Sequence, residues 1–172
     1  MNASLIYEPA EDSFLLAEQV QKYAQGKVLD LGSGSGILAE IAILNNADVL
    51  AADINQEAVA KLQQKGLHAI YSNLFSNIKG NFDLIIFNPP YLPTEKNEQP
   101  DFITTAGPKG NEVIEKFLKQ AKKHLTKEGK ILLLCSSFTK EIPKIFTKCG
   151  YRFTSLSEKK LFFEKLTVYL LR

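Results

Sequence analysis

The sequence predicts a doubly wound α/β fold on a seven-stranded, mostly parallel sheet that finishes in a C-terminal antiparallel strand pair. Three observations carry this. Short β-rich runs alternate with longer amphipathic stretches along the chain. The glycine cluster Gly32-Ser33-Gly34-Ser35-Gly36 follows directly on one such run, where strand-to-helix turns bind ligands in these folds. Phe82–Phe87 is almost wholly apolar, as a strand buried on both faces requires.

Taken in order, an opening helix is expected near Glu11–Gln25, with Phe14, Leu15, Ala17 and Val20 among its core positions and Gly26 as its stop. Lys27–Leu31 reads as the first strand and Ile37–Leu44 as the helix after the glycine turn. Val49–Ala52 is a second strand closed by Asp53, and Gln56–Lys65 its following helix. His68–Tyr71 gives a short third strand and Phe82–Phe87 the fourth. Leu92–Lys109 carries Pro93, Pro100 and Pro108 without periodicity, and a loop of that length marks a lid or binding segment. Glu112–Leu125 is a helix ended near Gly129, Ile131–Cys135 the fifth strand, and Lys140–Cys149 a further helix. Tyr151–Leu156 and Leu166–Leu171 supply the antiparallel pair.

At 172 residues the chain is expected to form a single domain spanning 1–172. Lys and Arg number 21 against 19 acidic residues, a formal charge of +2, which argues against a broad nucleic-acid-gripping surface. No apolar run has the length to span a bilayer, and the first residues lack a basic leader, so no membrane role is expected. Cys135 and Cys149 stand apart in no CxxC pattern, which fits reduced thiols in a cytoplasmic setting. His68 and His124 are equally isolated, and no metal site can be read.

The chemistry concentrates in two places. In Val28-Leu29-Asp30-Leu31-Gly32-Ser33-Gly34-Ser35-Gly36, the glycines let the backbone take unusual dihedrals and let a cofactor approach closely. A dinucleotide fingerprint would want Gly or Ala where Ile37 stands. Asp30, just before the turn, suits the cationic amino group of a methionine moiety better than a pyrophosphate. Asp53 ends the second strand, 23 residues after Asp30, where a carboxylate matches the vicinal hydroxyls of an adenosyl ribose; capping the next helix is its competing role. Asn73-Leu74 lies where a polar side chain reaches an adenine edge, though Asn serves equally as a turn residue.

The second place is Asn88-Pro89-Pro90-Tyr91, directly after the buried fourth strand. The Asn88 side-chain oxygen and the Pro89 carbonyl form two fixed acceptors that can bind both hydrogens of an NH2 group and aim its lone pair at an electrophile. Tyr91 adds an aromatic wall for a flat amide or base. Together these features imply transfer of a methyl group from S-adenosylmethionine, leaving S-adenosylhomocysteine.

The strand, glycine turn, acidic residue and NPPY sequence resembles the amino-methyltransferases that act on exocyclic or amide nitrogens. Tyr7-Glu8-Pro9-Ala10-Glu11-Asp12-Ser13-Phe14-Leu15-Leu16 closely resembles the opening of the HemK-like glutamine methyltransferases of archaea and eukaryotes, and Ala106-Gly107-Pro108-Lys109-Gly110 with Glu112-Val113-Ile114 is also similar to theirs. The resemblance implies a Rossmann-like class I methyltransferase fold. It implies methylation of the glutamine side-chain nitrogen in the Gly-Gly-Gln motif of a class 1 translation termination (release) factor. It puts Ser13, Asp30, Gly32, Asp53, Asn73, Leu74 and Asn88 in the cofactor-contacting places, with Gly34 and Gly36 completing the turn. Asn88, Pro89, Pro90 and Tyr91 take the substrate-binding places, and Asn88, Pro89 and Tyr91 the catalytic ones. Asn73 stands where the family often has Asp, and Ala106-Gly107-Pro108 where relatives often show paired glycines. The bacterial branch carries an additional N-terminal helical domain for which this sequence has no room. Short members of the family work with a small zinc-binding activator protein, for which strand addition at His68–Tyr71 is the expected docking mode. Two rivals remain in view: an N6-adenine DNA or RNA methyltransferase, since NPPY serves that chemistry too, and a non-catalytic binding subunit on a methyltransferase fold.

Overall fold

The structure is a computed structural model describing residues 6–91 and 110–172. The loop expected at 92–109 lies outside the described residues. Seven strands form one sheet in the order β3-β2-β1-β4-β5-β7-β6. They are β1 (Lys27–Leu31), β2 (Asp48–Asp53), β3 (Ala69–Tyr71), β4 (Phe82–Phe87), β5 (Leu125–Ser136), β6 (Phe153–Lys160) and β7 (Lys165–Leu171). The first five pair in parallel, while β7 runs antiparallel to both β5 and β6. The chain winds outward from β1 through β2 to β3, then returns to place β4 on the other side of β1. The switch point therefore lies between the carboxyl ends of β1 and β4, where open α/β sheets leave a crevice for ligands.

Helices α1 (Glu11–Tyr23), α2 (Ile37–Leu44) and α3 (Gln56–Gln64) cover one face of the sheet, and α4 (Glu112–Ala121) and α5 (Ile142–Lys148) the other. Strand alternation sorts the core: Val28, Leu84, Ile86 and Leu132 pack under α1–α3, and Leu29, Ile85, Phe87 and Leu133 under α4 and α5. Within the second layer Phe117 is fully buried, with its ring 4.6 Å from Phe87 and 5.6 Å from Phe75.

Several elements depart from expectation at their ends. α1 stops at Tyr23, and its buried stripe runs through Leu15, Leu16 and Val20. Phe14, expected in the core, is instead 51% exposed because it falls off the edge of that stripe. The stretch expected as helix up to Leu125 ends at Ala121 and tightens into a 3-10 turn, Lys122–His124. β5 begins at Leu125, six residues early, and its register against β4 shifts between Phe82 and Leu84. Gly129 sits inside that irregularity, where a Cβ would come within 2.8 Å of the Phe82 carbonyl oxygen. α5 is shorter than the expected Lys140–Cys149. Tyr151 belongs to no strand; it is buried and donates its hydroxyl to the Leu118 carbonyl at 3.0 Å. β6 instead runs on to Lys160, pairing with Lys165, so the final hairpin is longer than expected. Its tip emerges beside the carboxyl end of β5, because Ser136 is in register with Leu166. Both cysteines are free thiols, and burial pushes that of Cys135 upward. No helix among the described residues is long and apolar enough to cross a membrane.

Candidate active site

A cleft of about 950 Å³ opens at the switch point, lined by residues from the ends of β1, β2 and β4 together with the start of α1 and part of α4. On its β1–β2 side the glycine turn is stitched to the neighbouring strand. The Gly32 and Ser33 amides both donate to the Ala52 carbonyl, at 2.7 and 3.1 Å. The Ser33 hydroxyl donates to the Asp30 carbonyl at 2.7 Å and accepts from the Ala52 amide at 3.1 Å. Gly32 and Gly34 have φ of +69° and +51°, left-handed conformations that favour glycine and leave the turn's backbone open to a ligand. Gly36 does not line the cleft. It caps α2, and a Cβ there would meet Leu62 at 2.4 Å, so packing accounts for this glycine.

Asp53 is fixed by two backbone amides, Gly34 to Oδ2 and Asn55 to Oδ1, each at 2.8 Å. Capping of α3 falls to Asn55, whose side chain accepts from the Glu57 amide at 2.9 Å. The Asp53 carboxylate thus faces the cleft with lone pairs to spare. Asp30 is fully buried beneath the turn, and neither carboxylate oxygen makes a hydrogen bond of normal geometry, although the Ser33 hydroxyl and the Ala39 backbone lie near enough to favour its charged form. Burial pushes its pKa up to about 7, with the Asp53 charge adding to the effect and the Ser33 hydroxyl opposing it. An unpartnered buried carboxylate is costly alone and favourable beside a cation. Asn73 and Leu74 border the same cleft, and the Asn73 amide and carbonyl also bond Ser76, so this residue builds a turn and lines the site together.

The β4 side is held by side chains. The Asn88 Nδ2 donates to Asp12 Oδ2 at 3.1 Å, and the Tyr7 hydroxyl donates to the same oxygen at 3.0 Å. Asp12 Oδ1 accepts from the Ser13 amide at 2.6 Å and the Ser13 hydroxyl at 3.2 Å. A carboxylate only accepts, so the face of Asn88 turned to Asp12 must be its NH2. That orientation leaves Asn88 Oδ1 buried and without a partner, an orphan acceptor at the cleft wall. Pro89 is buried beside it, and Pro90 and Tyr91 are half-buried. Burial, reinforced by the Asp12 and Glu164 charges, raises the Tyr91 phenol; burial and Asp12 do the same for Tyr7. Both therefore stay protonated across the physiological range and act as donors.

The structure gathers Ser13, Gly32, Gly34, Asp53, Asn73, Leu74, Asn88, Pro89, Pro90 and Tyr91 around one cleft, with Asp30 sealed beneath it. Reading the sequence missed the part played by Asp12 and Tyr7. Both lie in the recognised run Tyr7–Leu16, but nothing local announces a contact across 76 residues. Val113, in the family-like run Glu112-Val113-Ile114 but given no role there, and Lys116, which carried no signal beyond the helical pattern, also border the cleft.

Comparison with known proteins gives a consistent picture. The sequence profile of the methyltransferase small domain matches residues 10–162. A candidate protein N5-glutamine methyltransferase of Methanocaldococcus jannaschii is 35% identical over 95% of this chain and 89% of its own length. A release factor glutamine methyltransferase of Lactococcus lactis is 34% identical over 62% of this chain and 46% of its own. A ribosomal RNA small subunit methyltransferase C of Buchnera aphidicola is 34% identical over 73% of this chain and 36% of its own. Among solved structures, the Mtq2–Trm112 complex of E. cuniculi, described as responsible for methylating the eRF1 translation termination factor, aligns with TM-score 0.79 and 26% identity over 97% of this chain and 98% of that one.

Proposed function

This chain belongs to the methyltransferase small-domain family, an S-adenosylmethionine-dependent one, and on that premise we propose that it methylates the side-chain amide nitrogen of a glutamine in the Gly-Gly-Gln motif of a class 1 translation termination factor. The single observation that carries the reading is the buried, unpartnered Asn88 Oδ1 at the cleft wall, left free as an acceptor because Asp12 holds the NH2 of the same amide.

The residues present suit the cofactor. From beneath the turn the buried Asp30 charge would favour the methionine ammonium, while in the cleft the fixed Asp53 carboxylate would answer the ribose hydroxyls and Asn73 and Leu74 the adenine. Gly32 and Gly34 would let the ligand approach the backbone, Gly36 would hold the turn in place, and Ser13 would close the methionine end. Bound there, S-adenosylmethionine supplies a methyl group on a sulfonium sulfur. An amide nitrogen is a poor nucleophile because its lone pair is delocalised into the carbonyl. Asn88 Oδ1 and the Pro89 carbonyl accept its two N–H groups and become better partners as positive charge develops on nitrogen. Pro90 and Tyr91 wall the plane of the amide, and holding the reacting atoms in line supplies further acceleration. The displaced proton passes to water, since both phenols are already protonated.

A small activator, zinc-binding in the family this chain resembles, would add a strand at β3. That strand is an edge of the sheet, and Tyr71 on it is 42% exposed. A translation factor as substrate puts the work in the cytoplasm, done by one domain. The ribosomal RNA methyltransferase relative favours a second reading, a nucleic-acid amine as acceptor in the same clamp. Incubation with methyl-labelled cofactor and either purified termination factor or nucleic acid, with the label mapped by mass spectrometry, separates the two. Label on the glutamine supports the proposal, and label confined to a base overturns it.

A further inference from the structure

The tip of the β6–β7 hairpin reads Leu161-Phe162-Phe163-Glu164, and it closes on itself through the Leu161 amide donating to the Glu164 carbonyl at 2.8 Å. Hairpin tips ordinarily carry Gly, Asn, Asp or Pro. Here Leu161 packs against the core, while Phe162 and Phe163 are 92% and 82% exposed, the two most exposed large apolar side chains among the described residues. Their rings meet edge to face at 4.6 Å. Two adjacent phenylalanines in water on a well-anchored turn mark a surface for contact.

The position of the tip says with what. Glu164 Oε2 accepts from the buried Ser136 hydroxyl at 2.6 Å, tying the tip to the carboxyl end of β5, and its charge reaches the Tyr7 and Tyr91 phenols. Thr139, just beyond, donates to the Tyr91 carbonyl at 3.5 Å. Lys159 pairs with Glu11 at the start of α1, one helical turn before the exposed Phe14. Phe138, 40% exposed, follows the same strand end. Aromatic surface thus adjoins the acceptor clamp on the side away from the Asp53 cradle. We propose that Phe162 and Phe163 form the docking surface for the polypeptide substrate, receiving an apolar side chain from a part of that protein outside the short stretch that carries the methylated glutamine. This rests on the glutamine-methylation reading above. A planar amide in the Asn88 clamp offers few contacts of its own, so affinity for an intact protein needs a second, apolar anchor beside it.

The test compares the full chain, expressed with its small activator, with F162A/F163A and F162L/F163L. Methyl transfer is measured to the intact termination factor and to a short synthetic peptide around the target glutamine. F162A/F163A is expected to raise KM for the factor about 10- to 100-fold while leaving kcat and affinity for S-adenosylhomocysteine unchanged. Transfer to the short peptide should be unaffected, and F162L/F163L should stay within about threefold of the parent because it keeps apolar area. An unchanged KM for the factor in F162A/F163A, with the parent active, overturns the docking proposal and leaves glutamine methylation standing. So does an equal loss on the short peptide, or loss of activator binding in place of a KM change. A parent that labels no termination factor overturns the functional reading, and the docking proposal with it.

Discussion

On the β1–β2 side of the cleft, the Asp53 carboxylate is held by main-chain amides, Gly34 and Asn55, that the strand-end turns bring to it. On the β4 side, Asn88 is held by the side chain of Asp12, 76 residues earlier, which also gathers Tyr7 and Ser13. The first arrangement builds a rigid cradle that a ligand enters. The second builds a side-chain relay whose outcome is the direction of one amide. Removing a cradle group should therefore cost affinity, and removing a relay group should cost rate.

The sharpest division comes from Asn88→Ala. Single-turnover transfer should fall about 10²- to 10³-fold or more, as when one preorganised polar group at a transition state is deleted. Calorimetry should find S-adenosylhomocysteine bound within about threefold of normal, since the cradle is untouched. Asp30→Asn should do the reverse, weakening S-adenosylhomocysteine about 10- to 100-fold through loss of the buried negative charge beneath the ammonium while kcat at saturating cofactor holds. The ligand-free variant should melt no lower than the parent at pH 8, because an unpaired buried charge has gone. Asp12→Asn should lower kcat about tenfold with cofactor affinity unchanged, because an asparagine presenting its own NH2 no longer dictates which way Asn88 faces. A loss of affinity there would erase the division between the two sides.

The effect of pH tests the cradle alone. The Asp30 pKa stands at about 7 in the folded chain, above its value of about 4 when unfolded. Folding thus favours the protonated form: the stability this contributes is complete below about pH 4 and is lost as pH rises through about 7. A cationic ammonium favours the carboxylate instead. Affinity for S-adenosylhomocysteine should be greatest above pH 7 and fall toward tenfold per unit below it, as read by calorimetry from pH 5.5 to 8.5. Asp30→Asn should flatten that profile.

The cradle was legible because its parts are local. The strand Lys27–Leu31, the glycine turn and the strand-end Asp53 each announce themselves within a few residues, and parallel pairing then brings them together. The apolar run Phe82–Phe87 fixed the place of Asn88 for the same reason. What lay hidden depended on long-range contact. Asp12 looks like an ordinary acidic residue in a first helical turn, favourable to the helix dipole, and nothing nearby in sequence reveals Asn88 as its partner. Phe14 reads as core by composition, yet its angular position leaves it exposed. The continuation of β6 to Lys160 was missed because Ser155–Lys160 is mostly polar, and pairing with the buried β7 holds it in the sheet.

The structure of this chain with S-adenosylhomocysteine and a glutamine-containing peptide tests the central claim most directly. The account predicts the glutamine amide nitrogen about 3 Å from Asn88 Oδ1 and from the Pro89 carbonyl oxygen, with the cofactor sulfur on the opposite side of the site vacated by the methyl group. A sulfur remote from Asn88, or a glutamine bound with its amide turned away from that oxygen, would contradict it.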